Sequence, residues 1–189
     1  MTHSSKVIAI LIAIIIIVLT ASLIKYLLKR KKNSVLIVGL SGCGKTMLFI
    51  SIYKNYPSYT FTSLEPNICD YSVSNKSNLV KIIDLPGSER LKTRFFNAYK
   101  KNAILIFFLI DATTLDKNKG AVSTFLVQVL NDEVVLKNRI PVVLGFNYRG
   151  NEDSYDKNIL IDVLKKEIQQ ISDTAKNELL STTEENSLL

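Results

Sequence analysis

The chain has 189 residues, room for one membrane segment and one domain of about 150 residues but not for two large domains. Its net charge of +7 comes from the amino terminus: residues 1–32 hold six Lys/Arg and no acidic residue, leaving 18 basic against 17 acidic residues beyond. Charge confined to one short run favours membrane lipid over a nucleic-acid groove, so we expect no direct nucleic-acid binding. Two cysteines, Cys43 and Cys69, are too few for a disulfide framework.

The amino-terminal part of the chain predicts a membrane anchor. Residues 7–24 contain no charge and include 13 Ile, Leu or Val, and as a helix they would cover about 27 Å. We therefore predict a transmembrane helix over residues 7–28, after a short amino terminus of residues 1–6 and before a basic linker of residues 29–34. One basic residue precedes the apolar run and five follow it, so the positive-inside rule predicts a lumenal amino terminus, a single pass and a cytosolic domain.

The predicted domain, residues 35–180, alternates short apolar runs with segments whose apolar residues recur at helical spacing. This order predicts an α/β fold with a mostly parallel sheet covered by helices on both faces. Strands are expected at residues 35–40, 79–83, 103–110 and 140–146, with an edge strand at 67–74, and helices near 45–56, 88–102, 122–136 and 155–180. Residues 57–66 suit a loop. The polar tail of residues 181–189 is expected to be disordered.

The most specific motif lies between the first strand and the first helix of this domain. It fits the phosphate-loop pattern G-x-x-x-x-G-K-[ST] and consists of Gly39, Leu40, Ser41, Gly42, Cys43, Gly44, Lys45 and Thr46. Glycines let backbone N–H groups curl around phosphates, and the helix amino terminus adds its dipole. Lys45 is expected to reach the β- and γ-phosphates and Thr46 to ligate Mg²⁺, with Met47 completing the nucleotide-binding segment.

A second motif, Asp84-Leu-Pro-Gly87, directly follows the strand predicted at residues 79–83. Asp84 is the candidate for the Mg²⁺ side of the site, and Gly87 is the candidate N–H donor to a γ-phosphate. In the loop between the two motifs, Thr62 is the candidate hydroxyl that closes over Mg²⁺. Thr60 and Ser63 compete for this role.

Together these features resemble the beta subunits of the signal recognition particle receptor, a family related to the Arf and Sar small GTPases. The resemblance covers roughly residues 7–176. It rests on the anchor with its basic flank, the phosphate loop, Thr62-Ser-Leu-Glu-Pro66, Asp84-Leu-Pro-Gly87, Phe125-Leu-Val-Gln-Val-Leu130 and Leu136-Lys137-Asn138. It implies a Ras-like domain that binds GTP and Mg²⁺, residence in the endoplasmic reticulum membrane, and a heterodimer with the receptor's alpha subunit in co-translational protein targeting.

The chain departs from the family pattern at the guanine-reading motif Asn-Lys-x-Asp, where it has Asn147-Tyr148-Arg149-Gly150. Asn147 stays in the predicted nucleotide site, but the carboxylate that would accept hydrogen bonds from guanine is missing. Base discrimination is therefore expected to be weak. Tyr148 is a candidate to stack on the purine. Glu152 and Asp153 are candidate replacements for the carboxylate, although solvation in a loop is their favoured role.

A further departure lies near the carboxyl end, where the family normally adds a strand carrying Ser-Ala-Lys and a closing helix. These two elements are expected to be missing, because the similar Thr174-Ala175-Lys176 lies within a continuous helical pattern. Their loss would expose residues 141–146 as an apolar sheet edge.

Ser88 occupies the position just after the Asp-x-x-Gly turn, where Ras-like enzymes use Gln to orient water and this family typically has His. Its short hydroxyl predicts very slow GTP hydrolysis, so no residue is assigned as catalytic. Two alternatives to a receptor subunit stay open: an Arf-like small GTPase with its own effectors, and a degenerate pseudo-GTPase that acts as a membrane scaffold. Turnover rate and nucleotide content distinguish them.

Overall fold

The computed structural model describes residues 3–27, 32–54, 62–72, 79–148 and 156–186, with side chains from residue 10 to 23 in the first range and up to residue 176 in the last. The chain divides into two compact units, residues 1–32 and residues 33–189.

In the first unit the structure describes one helix, α1 (His3–Leu27). Its described side chains, at residues 10–23, are all exposed and mostly Ile, Leu or Val. Among the described residues, no helix combines the length and the apolar character needed to cross a membrane.

The second unit alternates strands and helices. Its elements are β1 (Ser34–Val38), α2 (Lys45–Lys54), β2 (Asn67–Ser72), β3 (Leu79–Asp84), α3 (Glu89–Tyr99), β4 (Ala103–Asp111), α4 (Leu115–Leu130), α5 (Glu133–Lys137), β5 (Val142–Asn147) and α6 (Lys157–Asn186). Single turns of 3₁₀-helix precede and follow β4, at Lys100–Asn102 and Ala112–Thr114.

The five described strands form one sheet in the order β2-β3-β1-β4-β5. β1 pairs in parallel with β3 and β4, and β4 pairs in parallel with β5. β2 is the exception, running antiparallel to β3 at the edge. The predicted mostly parallel α/β fold is therefore confirmed. Because the parallel strands share a direction, their carboxyl ends meet at one edge of the sheet.

Side chains from alternate strand positions enter two cores, one on each face of the sheet. Leu36 and Ile83 belong to the larger core, which also takes residues from α3, α4 and α6, including Phe96 and Phe125. Ile37 belongs to a smaller core with Phe49, Cys69 and Ile82 under α2. Successive side chains of β1 thus point to opposite faces of the sheet, and each face is covered by its own helices.

Three element boundaries differ from the sequence prediction. The helix expected from residue 122 begins at Leu115, and it stops at Leu130 because Asp132 accepts hydrogen bonds from the N–H groups of Val134 and Val135 and so starts a new helix, α5. Residues 181–186, which belong to the tail predicted to be disordered, continue α6. No Gly or Pro interrupts that segment, and its glutamates favour helix.

β5 lies at the edge of the described sheet, as the predicted apolar edge requires. Val143 and Leu144, which point to opposite faces, are exposed. Val142 and Phe146 are half-buried against the larger core. Exposure of the predicted 141–146 edge is thus partial. Thr174, Ala175 and Lys176 lie inside α6.

Candidate functional site

The phosphate loop joins β1 to α2 at the carboxyl edge of the sheet. Gly39, Gly42 and Gly44 all have positive φ, at 147°, 79° and 98°, a region that side chains disfavour. A Cβ at Gly39 would also collide with the carbonyl oxygen of Leu109 in β4. The loop therefore takes this path most readily with glycine at these positions.

Lys45, the first residue of α2, is almost fully buried. Its Nζ donates a hydrogen bond to the Leu40 carbonyl oxygen at 2.7 Å and lies 3.7 Å from the Cys43 sulfur. Burial raises the pKa of the Cys43 thiol, although Lys45 works to lower it. Cys43 therefore stays a neutral thiol, and Lys45 is held by the loop that it belongs to.

Asp84, at the end of β3, is the most buried charged residue of the site. Its Oδ2 accepts hydrogen bonds from the Thr46 hydroxyl at 2.7 Å and the Asn67 amide at 3.0 Å. Its Oδ1 is buried and has no hydrogen-bond partner among the described residues. Burial raises the pKa of Asp84, while the hydrogen bonds from Thr46 and Asn67 and the charge of Lys45 act to lower it. A carboxylate oxygen left without a donor beside a hydroxyl suits a hard divalent cation such as Mg²⁺.

Gly87 closes the turn after Asp84 directly against the phosphate loop. A Cβ there would lie 2.5 Å from Lys45 Nζ and 2.6 Å from both the carbonyl carbon of Leu40 and the nitrogen of Ser41. The two predicted motifs are therefore in contact, and any side chain at residue 87 would occupy the space of the loop.

The loop hydroxyl nearest to this cluster is Ser63. Its Oγ lies 3.4 Å from the Thr46 hydroxyl and accepts a hydrogen bond from the Asn67 amide at 3.1 Å. Thr62 is exposed and also lines the cavity described below. Thr60 lies outside the described residues. Of the two hydroxyls that can be compared, Ser63 is the one bonded to Thr46 in this structure, while the role predicted for Thr62 stays a prediction.

Asn147, the last residue of β5, contacts the phosphate loop. Its Nδ2 donates to the carbonyl oxygen of Cys43 at 2.9 Å and stands where a Cβ of Gly44 would be. Tyr148 is half-buried, packs against the larger core and faces the same cavity. Arg149, Gly150, Glu152 and Asp153 lie outside the described residues.

These groups surround a cavity of about 510 Å³, the size of a small-ligand pocket. It brings together residues of both motifs, of the loop between them and of the end of β5. The lining residues are Ser41, Gly42, Gly44, Lys45, Thr46, Met47, Thr62, Ser63, Leu85, Pro86, Gly87, Asn147 and Tyr148. The other predicted site residues, Gly39, Leu40, Cys43 and Asp84, shape the loop or hold Thr46 from behind.

Ser88 precedes α3 in an extended conformation. Its carbonyl oxygen accepts hydrogen bonds from the N–H groups of Leu91 and Lys92 at 3.0 and 2.9 Å. Its side chain makes no capping hydrogen bond, and it is not among the residues that line the cavity. Ser88 thus starts the helix through its backbone, one residue beyond Gly87.

Two polar residues near the site were not predicted from the sequence. Asn67 lies opposite Asp84 in the antiparallel pairing of β2 with β3, a register that spacing along the chain does not reveal. Asp111 ends β4 beside Asn147, and its Oδ1 accepts hydrogen bonds from the nitrogen and hydroxyl of Thr113 at 3.0 and 2.6 Å. The only available signal for Asp111 was an acid directly after a buried apolar run.

The described sheet, with a phosphate loop after β1, an Asp-x-x-Gly turn after β3 and an Asn after β5, defines a P-loop protein of the Ras-like fold. The sequence model of the signal recognition particle receptor beta subunit matches residues 30–188. The chain therefore belongs to this family, as the sequence resemblance predicts.

Individual relatives agree with this assignment. The rat signal recognition particle receptor subunit beta is 31% identical over 163 residues, covering 85% of this chain and 61% of the rat protein. The chain thus spans about three fifths of the length of such a relative. The structure of the mammalian SRP receptor matches with a TM-score of 0.60 and 25% identity, over 75% of this chain and 76% of that one. The SRb-GTP/SRX complex from Chaetomium thermophilum has a TM-score of 0.65 at 20% identity, over 81% and 87% of the two chains, and supports the fold.

Proposed function

We propose that the cavity binds GTP with Mg²⁺ and that the chain is the membrane-anchored, GTP-binding subunit of a signal recognition particle receptor. The observation that carries the nucleotide part is the buried Oδ1 of Asp84, which lacks a hydrogen-bond partner among the described residues beside the Thr46 hydroxyl. A buried carboxylate oxygen without a hydrogen-bond partner destabilises the folded chain by about 1–3 kcal/mol or more. A bound cation would remove this cost.

The phosphate loop would hold the phosphates with its backbone N–H groups, at the amino terminus of α2. Lys45 would exchange its hydrogen bond to the Leu40 carbonyl for phosphate oxygens, and Gly87 would present its N–H from the opposite wall. Mg²⁺ would be held by Thr46, with Asp84 behind it and Thr62 or Ser63 from the loop. Among the described residues no cluster of three or more His, Cys, Asp or Glu side chains could hold a metal ion by itself, so the phosphates would supply the remaining ligands.

Recognition of the base is proposed to be weak. Asn147 already donates its amide to the Cys43 carbonyl, and the residues known to line the cavity include no Asp or Glu. Tyr148 offers a ring for stacking on any purine. Titrating GTP, ITP and ATP against the full chain in detergent should therefore give affinities within about tenfold of one another. A protein whose carboxylate accepts two charge-assisted hydrogen bonds from guanine would separate these affinities by far more. Strong selectivity for GTP would mean that another acid, such as Asp153, serves the base.

The receptor part of the proposal rests on family membership and on the amino-terminal sequence. Residues 7–24 are uncharged, five basic residues follow this apolar run, and the described side chains of α1 are exposed. These features support a single-pass anchor in the endoplasmic reticulum membrane with the Ras-like domain in the cytosol. The partner proposed for this domain is the receptor's alpha subunit, held at the membrane for co-translational protein targeting.

Purification of the tagged full chain from detergent-solubilised membranes tests the whole proposal, because partner and nucleotide are identified in one sample. We expect an alpha-subunit partner in stoichiometric amount together with bound guanine nucleotide. Lys45→Ala should reduce both, whereas Lys165→Ala, which changes an exposed residue of α6, should reduce neither. An unrelated effector in place of the alpha subunit would support the Arf-like alternative, and a partner without any nucleotide would support the scaffold.

A further inference from the structure

A second basic surface lies on the domain, at the edge of the sheet opposite the phosphate loop. β1, β3 and β4 begin there, at Ser34, Leu79 and Ala103. The chain enters the domain at the same edge, where the N–H of Asn33 donates to the Asn102 carbonyl and the Asn33 carbonyl accepts from the N–H of Lys81, at 3.2 and 2.8 Å. Parallel strands therefore separate this edge from the cavity by their full length.

We call this surface the basic edge and define it by five exposed residues: Leu79, Lys101, Leu136, Lys137 and Arg139. Lys101 lies in the 3₁₀ turn before β4, and Leu136 and Lys137 end α5. The ion pair of Lys100 with Asp132 connects that turn to the start of α5. Arg139, with a φ of 50°, donates its N–H to the Leu136 carbonyl at 3.1 Å and leads into β5.

Among the described residues, no acidic side chain pairs with the cations of the basic edge. Lys100 is paired with Asp132, and Lys81 with Asp70 at 3.8 Å. In contrast, Lys101, Lys137 and Arg139 have no ion pair within the parts of the chain that the structure describes. Glu133 is the exposed acid of α5. The three unpaired cations therefore outnumber it.

The basic edge also includes two leucines: Leu136 directly precedes Lys137 in α5, and Leu79 begins β3 at the same edge of the sheet. Leu79 is 56% exposed and Leu136 is 60% exposed. A single exposed leucine is ordinary on a protein surface. Leucine beside Lys and Arg, however, is the combination that membrane-surface segments use, since the apolar side chain enters the headgroup region while the cations meet anionic lipid.

We propose that the basic edge rests on anionic phospholipid headgroups. The inference depends on the proposed membrane anchor, because the run Lys29-Arg30-Lys31-Lys32 immediately precedes Asn33 and would bring this edge to the bilayer. The surface would hold the domain in one orientation, with the cavity edge directed away from the lipid and open to a cytosolic partner. Each cation near an anionic surface contributes about fivefold to binding, so three contribute far more together than any one alone.

The experiment places one fluorophore on the basic edge of the full chain. Cys43 and Cys69 are buried, so a dye attached to Leu136→Cys labels one position, and Asn118→Cys in α4 gives the comparison position. The labelled protein is reconstituted into vesicles of phosphatidylcholine alone or with phosphatidylserine, and quenching by lipid-borne quencher is measured. The test variant combines Lys101→Gln, Lys137→Gln and Arg139→Gln. Its control removes equal charge elsewhere, with Lys117→Gln, Lys157→Gln and Lys166→Gln.

Quenching of the label at residue 136 should rise about fivefold or more when phosphatidylserine is present, and the test variant should lose this gain. Quenching of the label at residue 118 should be the same in both lipids. The control variant should keep the full gain in quenching at residue 136. Equal quenching in both lipids, or an equal loss in the control variant, overturns the proposal. Extraction at alkaline pH, measured on the same vesicles, tests the anchor separately. If the protein is extracted, the anchor fails, but the quenching of adsorbed protein still decides whether this edge meets lipid.

Discussion

At the scale of single residues, the two carboxylate oxygens of Asp84 have different environments. Its Oδ2 accepts hydrogen bonds from Thr46 and Asn67, its Oδ1 has no hydrogen-bond partner among the described residues, and burial raises its pKa. The amino group of Lys45 donates to the Leu40 carbonyl, a hydrogen bond that the proposed phosphate oxygens would replace.

Lys45→Ala and Thr46→Asn should each weaken nucleotide binding. Loss of the Lys45 ammonium removes charge-assisted hydrogen bonds of about 1.5–3 kcal/mol each, so affinity should fall about 100-fold or more. Thr46→Asn removes the hydroxyl beside Asp84. Isothermal titration with GTP and Mg²⁺, with thermal melting to verify folding, measures both variants. Lys165→Ala should match the unchanged protein. Affinity within threefold of the unchanged protein in Lys45→Ala would contradict the assignment of the cavity.

Ser88 predicts very slow intrinsic hydrolysis. Its side chain is short, it does not line the cavity, and orienting residues with arginine fingers account for rate factors of about 10³–10⁵. Arg90 and Arg94 are exposed on α3. Single-turnover hydrolysis without partners should stay near or below roughly 10⁻⁴ s⁻¹.

Ser88→Gln should accelerate this reaction, because the longer side chain can reach a water beside the γ-phosphate. Thr93→Gln, placed one turn further along α3, serves as the control and should leave the rate unchanged. A rate near 1 s⁻¹ in the unchanged protein would favour the self-sufficient Arf-like alternative.

At the scale of elements, α5 depends on Asp132. Its side chain caps the helix through the N–H groups of Val134 and Val135, at 2.9 and 3.3 Å, and pairs with Lys100. Partial burial acts to raise the pKa of Asp132, but the hydrogen bonds from Lys100 and from these two N–H groups outweigh it and lower the pKa. One carboxylate therefore joins α5, the 3₁₀ turn before β4 and, through the Lys100 contact with the Phe96 ring, the larger core.

Asp132→Ala should lower the free energy of unfolding by about 1–3 kcal/mol at neutral pH, from the lost cap and ion pair. Because the folded pKa is lowered, this stabilisation is present above the pKa of the unfolded chain and is lost as pH falls through the folded value. The difference between variant and unchanged protein should therefore shrink in acid. Denaturant unfolding of the full chain in detergent at neutral and acidic pH measures it. Asp162→Ala, which removes an exposed pair with Lys165, should have little effect. A constant difference at both pH values would refute the linkage.

For the molecule as a whole, different features lie at the two edges of the sheet. The cavity lies at the carboxyl ends of the strands, and the chain enters the domain at their amino ends. The amino-terminal segment and the cavity therefore belong to opposite ends of the parallel strands. This separation follows from strand direction and does not require any special side chain.

The proposed topology predicts that protease added to sealed microsomes digests the domain of residues 33–189. Five basic residues after the apolar run against one before it give this orientation. An antibody against a tag at the amino terminus should gain access only after detergent opens the vesicles. Protection of the domain in sealed vesicles, with digestion after detergent, would reverse the topology.

The sequence by itself determined the local parts of this protein. The fold class and phosphate loop follow from apolar periodicity and from a motif whose glycines must adopt positive φ. The contact of Gly87 with Ser41 follows less directly, from the rule that parallel strands end at one edge. Such features depend on residues close in sequence or on strand direction, so chain order is enough to predict them.

The tertiary structure alone decided which distant polar groups meet. Asn67 reaches Asp84 through a strand register, Asn147 reaches the Cys43 carbonyl across 104 positions of the chain, and Ser63 rather than Thr62 bonds Thr46. The same holds for the split between α4 and α5, where Asp132 is fixed by Lys100 from another part of the chain. These contacts require packing of several elements at once, and a hydrogen bond depends on tenths of an ångström that periodicity and propensity do not encode.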